Sequence, residues 1–300
     1  MTTAQAALLP ERGVVKVAGD AARTFLDGLV TSDVSQVAPG HARFAALLTP
    51  QGKIIVDFIV AEASADDGGG FYLDVPRALA GTLVQKLNFY RLRAKVTVED
   101  LSESLSVMAA WNGAANGTEY GLCYPDPRLP ELGLRAILPP SAIAQAAADL
   151  GATLATEADY DAYRIALGVP RGGMDFMYGN AFPHETDMDQ LAGVDFNKGC
   201  FIGQEVVSRM EHRSTARTRV IPLTYDGPAP DDGVPVLAGE RSIGTIGSSG
   251  NGRVLATIRL DKLADALAQG ETITAGGLTL RPAKPAWARF AFPGDSKAAE

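Results

Sequence analysis

The stretch Val194-Asp195-Phe196-Asn197-Lys198-Gly199-Cys200-Phe201-Ile202-Gly203-Gln204-Glu205 holds one of only two cysteines in a 300-residue chain. Gly199 and Gly203 bracket Cys200, a spacing that predicts a tight, exposed turn whose backbone takes conformations costly for other residues. Beyond it, 204–212 reads as a helix. Val206, Val207 and Met210 share a face, and Glu205 precedes Arg209 at i,i+4 in the favourable order. Cys200 therefore stands just before a helix N-terminus and two residues after Lys198, and both features favour a thiolate. Glu205 opposes them. Two readings stand: a reactive thiol helped by Lys198, and a buried free cysteine serving as a small apolar residue.

Upstream, Val14-Val15-Lys16-Val17 predicts a strand, with Asp20 as N-cap of a helix over 21–29. Strands over 43–48 and 53–61 are joined by Thr49-Pro50-Gln51-Gly52, with Pro and Gly placed for a hairpin turn. The second strand is apolar nearly throughout except for Asp57, a carboxylate costly to bury unless partnered. It is either a solubilising edge residue or a working one. Further strands are expected over 71–75, 95–98 and 105–111, and helices over 77–87, 141–150 and 157–167, with Tyr90 in the 88–93 connection. Arg164, in the last helix, can reach an anionic ligand or pair with a surface acid. The long irregular loop 171–190 carries His184, a candidate base or ligand. Cys123 reads as an apolar filler.

After Cys200 come Arg209, His212, Arg213, Arg217 and Arg219, opposed only by Glu211. The cluster can attract a polyanion such as a polyglutamate tail, phosphate or an acidic partner, or be a solvated helix face. From residue 220 the pattern changes to short strands with glycine turns: 220–225, 234–237, 241–248, 253–259, 272–275 and 278–282. Such spacing predicts a small antiparallel barrel. The expected architecture is α+β: a region 1–215 of antiparallel sheets and helices in two interleaved subdomains, a C-terminal β-barrel over 220–292, and a tail over 293–300.

With 46% apolar and 21% charged residues, the composition is that of a globular protein with a sizeable core. No apolar run approaches the length of about 18 residues that a spanning helix needs, so no membrane association is expected. Met1 to Arg12 lacks the features of a signal peptide. Two distant cysteines without a neighbouring Cys or His pair argue against structural zinc, so no metal is expected, and they fit a reducing cytoplasm. A net charge of −8 argues against strong, non-specific nucleic-acid binding.

Lys198-Gly199-Cys200-Phe201-Ile202-Gly203-Gln204-Glu205 closely resembles the K-G-C-[YF]-x-G-Q-E signature of the YgfZ family, folate-binding relatives of the glycine-cleavage aminomethyltransferase (T-protein). Leu26 to Asp33 resembles the family's F-L-Q-G-L-V-T-N-D segment, and Thr49-Pro50-Gln51-Gly52-Lys53-Ile54 its T-P-Q-G-K-I. Tyr90-Arg91-Leu92-Arg93-Ala94-Lys95 is similar to its tyrosine-plus-basic element, and Arg164 to Pro170 to its R-I-x-x-G-I-P. The resemblance implies a T-protein-like fold and a tetrahydrofolate-sized cavity. It implies folate contacts at Asp57, Tyr90, Arg164, Gln204 and Glu205, with Cys200 and Lys198 as the reactive pair. It further implies an accessory factor for iron–sulfur clusters, supporting [4Fe–4S] enzymes and radical enzymes that modify tRNA, with folate and iron–sulfur client or assembly proteins as partners. The catalytic T-protein has two consecutive acids where this chain has Val56-Asp57, which tells against aminomethyl transfer, the alternative activity. A cubane cluster needs about four thiolates, so this chain cannot hold one alone.

Overall fold

The computed structural model describes residues 3–115, 117–213 and 216–294. Most of the expected tail, 295–300, and the side chain of Arg213 lie outside the described residues. Two compact units divide the chain: Met1–Tyr160 with Leu191–Gln204, and Asp161–Gln190 with Glu205–Glu300. This differs from the boundary expected between 215 and 220, because the 161–190 segment and most of the helix after Cys200 group with the barrel.

The first unit begins with β1 (Gln5–Leu8), β2 (Arg12–Ala18), α1 (Ala22–Asp27), β3 (Arg43–Leu48), β4 (Ile54–Glu62), β5 (Phe71–Pro76) and α2 (Ala80–Arg91). It continues through β6 (Thr97–Asp100), β7 (Ser106–Trp111), β8 (Leu122–Pro125), β9 (Leu134–Leu138), α3 (Ile143–Asp149), β10 (Thr153–Leu154) and the start of α4 (Glu157–Leu167). They form two five-stranded sheets, in the orders β3-β4-β5-β2-β6 and β10-β1-β7-β9-β8. Alternate residues of the first sheet, Val15 and Val17, Val56, Phe58 and Val60, Leu73 and Val75, face one core with Leu83 and Leu87 of α2. Helix α1 starts without a side-chain cap, so Asp20 does not play the expected part. Strands β1 and β9 were not expected. They are short, and their pairing is set by distant partners rather than by local pattern.

A charged network ties β5 in one sheet to β9 in the other. Asp74 accepts from Arg12 Nε at 2.6 Å and Arg135 Nη1 at 2.7 Å, while Arg135 Nε also reaches Asp126, 2.9 Å away. Arg128 pairs with Asp126 at 2.7 Å. Burial alone would raise the Asp74 and Asp126 carboxyls; their guanidinium partners reverse this and hold both below the ordinary range.

The second unit contains α5 (Gln204–Arg213) from Glu205 on, and β11 (Thr218–Tyr225), β12 (Pro235–Ala238), β13 (Arg241–Gly250), β14 (Arg253–Arg259), α6 (Leu260–Ala268), β15 (Ile273–Ala275) and β16 (Leu278–Pro282). The strands close a barrel in the order β11-β14-β13-β12-β15-β16, as the spacing predicted. Helix α6 was not expected; Leu263 and Ala266, three apart, pack it onto the barrel core.

Candidate functional site

The Cys200 segment is fastened to the first unit at several points. Thr31 Oγ1 donates to the Gly193 carbonyl at 2.6 Å, and the Asp195 N–H donates to Thr31 O at 2.9 Å. The Lys198 side chain is 1% exposed. Its ammonium donates to the carbonyls of Asp27, Val30 and Ser32 at 2.6, 2.9 and 2.9 Å, with the Asp27 carboxylate at 3.1 Å. Three carbonyls take up the three protons of an ammonium, at the C-terminal end of α1 where a cation is favoured. Phe201 is buried beside the Lys198 ammonium, which lies 5.7 Å from its ring centroid, and Ile202 packs on the core of the first sheet.

Gly203 has φ +80°, and a Cβ there would lie 2.6 Å from the Thr49 carbonyl oxygen. Glycine is therefore required on two counts, backbone conformation and space. Three stretches that carried the resemblance, around 26–33, 49–54 and 198–205, thus meet in one place. Cys200 itself is exposed, which removes the reading of a buried apolar filler. Lys198 before it and Phe201, Ile202 and Gly203 after it are anchored, and Cys200 between them is left exposed.

Two sequence expectations are corrected here. Gly199 is outside the left-handed region and has open space where a Cβ would go, so it imposes no strained turn. Lys198, expected to support a thiolate, has its ammonium committed to the 27–32 carbonyls and Asp27; it fixes the segment in place.

The five residues assigned to folate divide on their geometry. Asp57 on β4 is 8% exposed and in register with Ala46 of β3, so the solubilising-edge reading fails. Tyr90, near the end of α2, is half-buried against the same core as Ile202. Gln204 opens α5, half-buried. Glu205 is exposed and paired with Arg209 at 2.5 Å.

Arg164 does not fit. It is 2% exposed and donates to Asp161 at 2.7 Å, the Val169 carbonyl at 3.0 Å, Asp175 at 2.9 Å and Ser248 Oγ at 2.7 Å. It joins α4, the following loop and β13, and its charge is satisfied without an anionic ligand. In the second unit a cavity of about 630 Å³ is lined by Met174, Asp175, Phe176, Met177, Thr245 and Thr257 among others, and none of the five assigned residues lines it.

The expected basic cluster is not one patch. Arg219 is 5% exposed and turned onto Asp187 and Asp189, Arg209 onto Glu205, while Arg217 and His212 stay exposed. His184 is buried, with Nε2 3.0 Å from Glu211 Oε2. That pairing was invisible in the sequence, where His184 stood alone in a loop. Cys123, on β8, packs against the second sheet's core, and burial pushes its thiol up to about 11.

Comparisons with known proteins agree with this architecture. The GCVT N-terminal domain family matches residues 11–115, and the CAF17 C-terminal beta-barrel domain family matches 217–290. The crystal structure of glycine cleavage system aminomethyltransferase T from Bartonella henselae superposes with a TM-score of 0.74, covering 96% of this chain and 87% of that one at 16% identity, a likeness of fold. The iron–sulfur cluster assembly factor IBA57 homolog of Pyricularia oryzae is 30% identical over 91% of this chain and 76% of its own length. Human IBA57 is 32% identical over 75% of this chain and 68% of its own length. The chain spans little more than half the length of other such relatives, 58% for Mycosarcoma maydis and 54% for Neurospora crassa. These relatives are named as mitochondrial proteins, which overturns the expected cytoplasmic location. They bear the name IBA57 rather than YgfZ, so the resemblance holds at the level of a GcvT-like domain with a CAF17-type barrel. The chain belongs to the IBA57 family of iron–sulfur cluster assembly factors.

Proposed function

We propose that this chain is a folate-binding accessory factor in iron–sulfur cluster assembly, in which Cys200 makes transient contact with a cluster or with the protein that carries it. The observation that carries the reading is an exposed thiol on a segment held by Lys198 on one side and by Phe201, Ile202 and Gly203 on the other. One thiolate cannot hold a cluster, but it can complete a ligand set supplied mainly by a partner, or exchange with a partner's sulfur. The family's name supports this direction. Tetrahydrofolate or a one-carbon derivative belongs to the reading through the GcvT-like domain, with Asp57 and Tyr90 at its pterin end. The clients are [4Fe–4S] enzymes, including radical enzymes that modify tRNA.

A second reading, one-carbon transfer to tetrahydrofolate, draws on the aminomethyltransferase-like fold and on the retained Asp57. One experiment separates the two. Full-length wild type, Cys200→Ser and Asp57→Asn are compared for tetrahydrofolate binding by fluorescence quenching, for reconstitution of a [4Fe–4S] client, and for aminomethyl turnover. The assembly reading expects Cys200→Ser to bind folate as wild type does and to lose client support. Turnover that needs Asp57 and survives the Cys200 change would replace it with the transferase reading.

A further inference from the structure

We propose that the second unit carries a mononuclear site for a first-row divalent transition metal, built from His184 Nε2 and the carboxylates of Asp189 and Glu211. One donor atom from each of the three lies within 4.8 Å of the others. His184 Nε2 and Glu211 Oε2 are 3.0 Å apart. When metal–ligand bonds are about 2.1 Å, adjacent donors stand roughly 3.0 to 3.4 Å apart, so this pair already spans one edge of a coordination polyhedron. One imidazole and two carboxylates make a set suited to zinc, iron(II) or manganese(II). Calcium, which takes 6–8 oxygens, is poorly served by it.

The local fold holds these groups in place. His184 sits on the single turn Pro183–Thr186, where Glu185 accepts the Phe182 N–H at 2.9 Å and Thr186 Oγ1 donates to the Pro183 carbonyl at 3.1 Å. Asp187, at φ 61°, reverses the chain and delivers Asp189 to the same side. Behind the ligands, Arg219 donates to the His184 carbonyl at 2.7 Å and grips the two Asp189 oxygens at 2.5 and 3.0 Å. Its guanidinium is itself stacked on Phe290, 4.7 Å from the ring centroid. Metal-binding carboxylates are commonly oriented by such outer partners. Arg219 offsets one of the two ligand charges, leaving the set negative toward a divalent cation.

The three ligands open onto a cavity of about 420 Å³ whose other walls include Met210, Leu260 and Phe290. Three protein ligands leave coordination positions for water or a small anion, the pattern of reactive rather than purely structural metals. Arg219 also lines this cavity, and its buried Nε has no hydrogen-bond partner among the described residues. An oxygen bound to the metal would meet that need. The site uses neither cysteine and is independent of the Cys200 reading.

The test is a cobalt(II) titration of the full-length chain in a Cys200→Ser background, followed by absorption spectroscopy and zinc competition. The expected result is one equivalent of cobalt with a nitrogen- and oxygen-ligand spectrum. Glu211→Ala should weaken binding at least about tenfold, and His184→Ala should abolish it. Glu211 is exposed, so Glu211→Ala should stay folded, with a melting temperature lowered only by the loss of its contact to His184, and it keeps the test valid if the His184 variant misfolds. Absence of stoichiometric uptake, or uptake indifferent to Glu211→Ala, overturns the site.

Discussion

Gly199 and Gly203 look equivalent in the sequence, yet only one is constrained. An alanine at 203 would hold a left-handed backbone and press its Cβ against the Thr49 carbonyl oxygen. Gly203→Ala is expected to lower stability by at least about 2 kcal/mol, and Gly199→Ala to stay within about 0.5 kcal/mol. Urea melts of the two variants check this, and equal effects would refute it. The sequence made the glycines visible as a pair but could not separate them, because what separates them is a turn 150 residues away in the chain. Lys198 teaches the same lesson. Proximity in sequence pointed it at Cys200, whereas its actual partners are the carbonyls of the 27–32 segment. Asp57 was legible as an anomaly, since a lone acid in an apolar run is costly anywhere, and the structure places it out of solvent.

Among the elements, those with strong local pattern were readable: strands β3 and β4 with their turn, helix α5, and the barrel strands. Those that depend on distant pairing were not. Residues 260–268 carried a helical signal in Leu260, Leu263 and Ala266, three apart, but it was masked by the strands on either side. The network around Arg135 was likewise unreadable, because its members sit on β2, β5, β9 and the 126–128 segment. Arg135→Met leaves two buried carboxylates with fewer counter-charges and should cost about 3 kcal/mol at pH 7.

Both carboxyls are held below their ordinary value, so the stability they contribute is present above about pH 4 and is lost as the pH falls toward their depressed values. Removing Arg135 raises those values, so the acid-unfolding midpoint of the variant should move to higher pH. Denaturant melts across pH 2–7 test the sign, and a midpoint that stays put or falls counts against the network.

For the whole molecule, the two thiols are set apart by environment. Cys200 is exposed, whereas burial pushes the Cys123 thiol up to about 11. At pH 7 only about one Cys123 in ten thousand carries the reactive thiolate. Iodoacetamide should label Cys200 first, with Cys123 following slowly, and mass spectrometry of timed digests reads the order; comparable rates would undo the distinction. The α+β class and the barrel were evident in the sequence at this scale, while the division into units was not, since it follows contacts rather than chain order. The anchoring of the Cys200 segment has a thermodynamic consequence. A flexible loop bearing a thiol would lose backbone freedom each time it met a partner, at roughly 1–2 kcal/mol per residue. Here the ammonium of Lys198 and the seat of Gly203 impose that ordering during folding. An encounter at Cys200 then begins with its conformational entropy already surrendered, and a brief, reversible bond can be strong enough to matter.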